Sequence, residues 1–310
     1  MYKFVYIVIL LVLTASCQGS GKTVGKDGGI IITAQIDSSV TDSQALKDIE
    51  VIKKRIRSNA GNDPVVRTDD NRHVTIELPL ESDTALFHKL LVTSGDFNIL
   101  ETYNNDELSP EIYELEKLAE EDGYRSVFTF TVPKGTRAEY PTPFIIYCYG
   151  KDLEMTQEIL RSDEARKYYP GDLEIIPELL PLDVTHDLYA FIATKKPDTY
   201  EPITIDMIDK ASVKSGRSSV SEIYLELKRP FHENWRKMTE KNIGRPLAIV
   251  IDGRVYSYPM VNMAIDGGKA TIMGDFDKVH IHMLASILNS GGLTAPVTIN
   301  SIELIPAKKK

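Results

Sequence analysis

The sequence predicts an α+β protein in two parts: a ferredoxin-like βαββαβ base followed by an α+β head with an antiparallel sheet. Three observations lead there. Apolar residues between Gly29 and Tyr103 switch from strand to helix periodicity and back in the order β, α, β, β, α, β. Leu247 to Ile251 is an unbroken apolar run, too short for a helix, followed by the turn dipeptide Asp252-Gly253 and a returning strand. A chain of 310 residues, 42% hydrophobic and 26% charged, exceeds what one core of ordinary size organises and so favours two domains.

In chain order, Ile30 to Ile36 reads as a strand. Thr41 and Gln44 have capping-box spacing ahead of a helix whose Ile49, Ile52 and Ile56 share a face. Val65-Val66 and Val74 to Leu78 read as paired strands, the second alternating Val74, Ile76, Leu78 against Thr75 and Glu77. Asp83 to Thr93 is a second helix, and Phe97 to Tyr103 the strand expected to close the base over 29–105.

The head is expected over 106–305. Pro110 opens an amphipathic helix with Ile112, Leu115 and Leu118 on one side; strands follow near 126–132, 144–149 and 188–194. Phe231, Trp235 and Met238 fall at i, i+4 and i+7, which predicts a helix over 230–243 capped by Gly244. After it come the strand Leu247–Ile251, the Asp252-Gly253 turn and the strand Arg254–Tyr258, edged by Pro259 because proline cannot donate to a central ladder. Gly253→Val is expected to strain this turn, and Asp252→Asn to be nearly silent, since asparagine tolerates the same backbone. Lys269–Met273 then reads as a strand, 277–290 as a helix, and the last strand begins at Ala295. A basic tail, 306–310, ends the chain.

The N-terminus carries a targeting signal. Lys3 precedes an apolar segment, Phe4 to Leu13, which at ~1.5 Å per residue spans only about half of a ~30 Å bilayer core. It is expected to be the core of a signal peptide over 1–17, because Leu13, Thr14, Ala15, Ser16 and Cys17 resemble a lipobox, whose cysteine is acylated and becomes the new N-terminus. A polar, glycine-rich tether over 18–28 follows. With Cys17 lipidated, Cys148 is alone and no intramolecular disulfide is expected.

The stretch Asn242 to Asn262 resembles the signature of the first periplasmic domain of SecD and SecDF, accessory membrane subunits of the bacterial protein translocase. Asn242, Gly244, Ala248, Ile249, Val250, Asp252, Gly253, Ser257, Pro259 and Val261 carry that resemblance. In the base, Arg55, Arg57, Asp63, Pro64, Val66, Arg72, Glu77, Leu78 and Pro79 fit the same domain, and GGLTAPV from Gly291 resembles its ending. The resemblance implies a non-catalytic accessory module that contacts unfolded polypeptide or translocase subunits. Tyr256 and Tyr258 are the candidate contact residues, their rings covering apolar groups while the hydroxyls stay wet. A scaffold lipoprotein that docks on a membrane complex without binding unfolded chains is the alternative.

The pattern offers no catalytic residues and no metal ligands. His280 and His282 stand two apart on a helix, and no E-x-x-H, C-x-x-C or G-x-S-x-G string occurs. GSGKT at Gly19 imitates a phosphate loop, but Ser16 stands where the first glycine belongs and no strand precedes it. No nucleotide or other cofactor is therefore expected. A net charge of −9 without a basic stripe argues against nucleic acid. The expected partners are membrane lipid, through Cys17, and polypeptide or translocase subunits. The expected location is the cell membrane or outer membrane, lipid-anchored and facing the periplasm or exterior.

Overall fold

The computed structural model describes residues 28–307 and Val24, apart from 61–63, 69, 122–126, 131–141, 198–199, 216–220, 274–275 and 277. Cys17 and the expected signal peptide lie outside the described residues.

The base is built as its pattern requires. Strand β1 (Gly29–Ile36) leads to helix α1 (Asp42–Asn59), where the Thr41 side chain accepts from the Gln44 amide and Gln44 returns the bond to Thr41, a complete capping box. Ile49, Ile52 and Ile56 are buried together. Strands β2 (Val65–Thr68) and β3 (His73–Leu78) and helix α2 (Thr84–Val92) follow.

The expected closing strand goes elsewhere. Strand β4 (Phe97–Glu101) leaves this sheet and pairs with β12 (Leu247–Ile251). Its place beside β1 is taken by the last strand, β15 (Val297–Ile305), giving the antiparallel order β15-β1-β3-β2. The base is thus ferredoxin-like in arrangement but completed from the far end of the chain, and the head expected over 106–305 yields its final strand to it. The cause is the preceding helix, α7 (Lys278–Ser290): Met283 and Ile287 pack with α1 and α2 into the base core, which delivers β15 to the β1 edge. Asp48, fully buried, fixes the approach by accepting from the Thr294 amide (2.8 Å), the Thr294 hydroxyl (2.9 Å) and the Ala295 amide (3.2 Å).

Between α2 and α7 lie three further sheets. Helix α3 (Ser109–Glu121) precedes strands β5 (Phe128–Phe130) and β6 (Phe144–Tyr149); helices α4 (Leu153–Arg161) and α5 (Asp163–Arg166) precede β7 (Leu173–Pro177) and β8 (Leu188–Lys195). These strands form an antiparallel sheet ordered β5-β6-β8-β7, with Cys148 buried in its core as a structural thiol. Next come β9 (Ile203–Thr204), β10 (Ile208–Ser215), β11 (Ser221–Leu227) and helix α6 (His232–Lys241). After β12, strands β13 (Arg254–Ser257) and β14 (Lys269–Met273) complete two sheets, β13-β12-β4-β9 and β10-β11-β14.

Every residue of β12 is buried, and the layers explain why. Leu247, Ile249 and Ile251 face a core shared with β11, α6 and α7, whereas Ala248 and Val250 face Ile176 and Ile192 of the β5-β6-β8-β7 sheet. The turn after β12 has positive φ at both Asp252 (49°) and Gly253 (70°), the hairpin geometry its sequence predicts. Its tip docks on the base: Asp252 Oδ1 accepts from the Ser94 hydroxyl and from the amides of Gly95 (2.9 Å) and Asp96 (2.8 Å).

Beneath that contact lies Arg55, with no exposed surface, donating to the carbonyls of Leu90, Thr93, Ser94 and Gly291 and to the Ser290 hydroxyl. Burial lowers its pKa to about 10, opposed by the charges of Asp252 and Asp48, and the guanidinium stays protonated at neutral pH.

Candidate functional site

The feature that stands out on the head is an apolar groove between the β13-β12-β4-β9 and β10-β11-β14 sheets, about 460 Å³ in volume. Ile99, Leu247 and Ile249 form one wall, contributed by β4 and β12. Tyr224 of β11 and Lys269, Ala270, Thr271 and Met273 of β14 form the other, with Trp235 of α6 at the base. Pro259, Met260, Val261, Asn262, Met263 and Ile265 make the rim.

Each part is fixed by chain chemistry. Trp235 sits on the buried face of α6, and its indole N–H donates to the Lys269 carbonyl at 3.0 Å, which pins β14 against the helix. The rim segment is irregular because Pro259 ends β13, yet it is tied down. Leu247 N–H donates to the Pro259 carbonyl (3.1 Å), Val261 N–H to the Arg245 carbonyl (2.9 Å), and Ile265 N–H to the Thr239 hydroxyl (2.9 Å).

Two properties suit this groove to extended chains. Strand β14 pairs with β11 on one side only, so its other edge has no strand partner among the described residues. The opposite edge of that sheet is blocked, since the Asn289 side chain both accepts from Ala211 N–H and donates to Ala211 C=O, each at 2.8 Å. Moreover, Met260, Met263 and Met273 are 48%, 68% and 49% exposed around the groove, whereas Met207, Met238 and Met283 are buried. Unbranched, polarizable thioethers adapt to differently shaped partners.

Tyr256 and Tyr258 do not form one surface. Ile249 pairs with Ser257 while Val250 pairs with Val255, so Tyr256 is the extra residue of a β-bulge. The bulge turns Tyr256 toward the core shared with α6, where its ring lies 5.9 Å from that of Phe276, and turns Tyr258 to the opposite face beside Ala248 and Val250. Both are half-buried, and burial raises each phenol to about 12. Tyr258 hydrogen-bonds Glu178, whose carboxyl burial pushes up to about 7 against that bond.

Among the described residues, no group of three or more His, Cys, Asp or Glu could hold a metal, and no helix is long and apolar enough to cross a membrane. A polar seam runs between the β13-β12-β4-β9 layer and the β5-β6-β8-β7 sheet. Buried Glu101 takes Lys241 at 2.8 Å, Arg245 pairs both nitrogens with Glu107 at 2.7 Å, and the Tyr103 hydroxyl donates to Asp172 at 2.7 Å. Burial and Asp172 raise the Tyr103 phenol well above its usual range, so it remains a donor. These pairings are structural.

Residues 193–295, which include all of the groove's lining except Ile99, match the family profile of the SecDF P1 head subdomain. The chain is similar to SecD and SecDF. It is 24% identical to the protein translocase subunit SecD of Rhodothermus marinus over 284 residues, 81% of this chain and 45% of that protein. Against the SecD of Syntrophobacter fumaroxidans, identity is 41% over 95 residues, 30% of this chain and 18% of the relative. The chain thus spans about half or less of the length of these SecD relatives.

Two solved structures share the fold at 19% identity. One is SecDF in a super-membrane-facing form, with a TM-score of 0.53 over 93% of this chain and 32% of that one. The other, described as a membrane component SecDF that enhances protein export, has a TM-score of 0.50 over 88% of this chain and 99% of that one. The SecD-type periplasmic fold expected from Asn242–Asn262 is therefore present.

Proposed function

We propose that this chain is a non-catalytic, extracytoplasmic accessory of protein export, held to a membrane through lipidated Cys17, whose head binds unfolded polypeptide in the groove beside β14. The observation that carries the binding reading is the pairing of a strand edge that lacks a strand partner among the described residues with apolar, methionine-rich walls. An extended segment adds to the edge by main-chain hydrogen bonds, and its alternate side chains enter the groove, which tolerates many sequences. The SecD relatives are protein translocase subunits and the similar SecDF enhances protein export, which supports the same reading. Lipid attachment rests on the lipobox-like residues before Cys17, and two acyl chains suffice for stable anchoring. Of the two tyrosine contacts, Tyr256 remains the candidate, packed in the same core as the groove wall although it does not line the groove itself; Tyr258 faces away from it.

The test is titration of the protein with a labelled, permanently unfolded secretory protein and with its folded form. The sole tryptophan, Trp235, serves as the reporter. Saturable binding of the unfolded form alone is expected, and Thr271→Pro, which places a proline on the free edge, weakens it. No binding up to about millimolar, an affinity of only ~4 kcal/mol, removes the polypeptide reading and leaves a scaffold role. For the anchor, Cys17→Ala is expected to leave an unprocessed precursor. A normally cleaved, freely soluble form of that variant would refute lipidation.

A further inference from the structure

We infer that the groove methionines are an oxidation site that switches polypeptide binding off. This rests on the binding role proposed above and adds a regulation to it. Met260, Met263 and Met273 are between 48% and 68% exposed and gather on one groove, although they come from the rim segment and from β14. Met155 is comparably exposed, at 51%, but lies outside the groove on α4 and serves as an internal control.

The chemistry balances without a cofactor. A hydroperoxide or hypochlorous acid transfers one oxygen atom to the thioether sulfur. The sulfur loses two electrons as an S=O bond forms, the O–O or O–Cl bond breaks, and the oxidant leaves as water, alcohol or chloride. Susceptibility follows access, which these three side chains have and the buried Met207, Met238 and Met283, each 7% exposed or less, lack.

The product changes the surface itself. A sulfoxide is polar and accepts hydrogen bonds, but the apolar wall offers it few donors. An extended apolar segment seated there would bury the new oxygen unpaired, which opposes binding. The fold stays intact, since the three thioethers protrude from the core instead of filling it. Reduction by a methionine sulfoxide reductase restores the thioether, so the switch is reversible.

The experiment treats the whole protein with hydrogen peroxide, maps sulfoxides by mass spectrometry, and titrates an unfolded secretory protein before and after. Expected are sulfoxides at positions 260, 263 and 273, affinity reduced about tenfold or more, an unchanged circular dichroism spectrum, and recovery after reductase treatment. The Met260→Leu, Met263→Leu, Met273→Leu triple variant keeps size and apolarity but removes the thioethers, so the affinity it shows before treatment should be unchanged by the oxidant; Met155→Leu should not protect. Loss of binding in the oxidised triple variant equal to that of the wild type would overturn the inference, as would full binding by protein oxidised at all three positions. Failure of the untreated wild type to bind would instead refute the binding reading itself.

Discussion

Glu178 offers the sharpest quantitative test of the packing described above. Its backbone joins two sheets: the Glu178 amide donates to Ala190 C=O of β8 at 2.8 Å, and the next amide, Leu179, donates to Val255 C=O of β13 at 2.9 Å. The carboxyl is half-buried and, among the described residues, meets only the Tyr258 hydroxyl with no cation acting on it, and burial raises its pKa from 4.5 to about 7. A raised carboxyl means that the folded state holds the proton more tightly than the unfolded chain. Stability from this group is therefore fully present below about pH 4.5 and lost as pH rises through about 7. At ~1.4 kcal/mol for each tenfold change in proton affinity, the full loss is about 3 kcal/mol, and about 2 kcal/mol after allowing for the solvent that reaches a half-buried group.

Glu178→Gln keeps the shape and a hydrogen-bond partner for Tyr258 but removes the charge. Urea unfolding followed by Trp235 fluorescence should show wild type and variant nearly equal at pH 4.5. At pH 8 the variant should be about 2 kcal/mol more stable, with most of the gain appearing between pH 5 and 7. Parallel pH profiles for the two proteins would refute the burial of an unpaired carboxyl at this junction.

Gly253→Val should cost about 1–3 kcal/mol, wholly from backbone strain at φ 70°, because no atom lies within 4 Å of a Cβ there; an unchanged melting temperature would contradict the turn. Asp252→Asn, expected from sequence to be nearly silent, should instead cost about 1 kcal/mol. Asparagine still supplies Oδ1 to residues 94–96, but the charge-assisted part of those bonds and the attraction to Arg55 are lost; calorimetry decides. Arg55→Met should cost about 3–5 kcal/mol by leaving buried carbonyls on α2, its following loop and the end of α7 without donors, and a loss below 1 kcal/mol in urea titration would refute that role.

Local chemistry was legible in the sequence, and long-range choice was not. The capping box at Thr41, the Asp252-Gly253 turn and the isoleucine stripe of α1 follow from neighbours a few residues apart, and all form as read. Phe97 to Glu101 was legible as a strand, but its alternation is equally compatible with either sheet. Only the packing of Met283 and Ile287 on α1 and α2 decides that β15 fills the base position. The bulge at Tyr256 was hidden for a related reason: a strand pattern gives side-chain parity only while pairing is regular, and one extra residue reverses it. The groove brings together Ile99, Tyr224, Trp235 and residues from the 259–273 segment, whose sequence signal is no more than methionines following a strand-ending proline; their exposure shows only in the fold.

The pairing of β1 with β15 also bears on how the protein acquires its structure. Gly29 lies opposite Ile305, so the strand at the centre of the base sheet gains its second neighbour only when the whole intervening chain has been made. During synthesis or emergence from a membrane pore, β1, β2 and β3 can associate early, while the edge of β1 stays unsatisfied until last. Closing so large a loop before any reward from its contacts slows the final step and leaves a sticky strand edge exposed meanwhile. Base completion should therefore be the late, rate-limiting event, and a chain cut before Val297 should keep a folded head on an unfinished, aggregation-prone base.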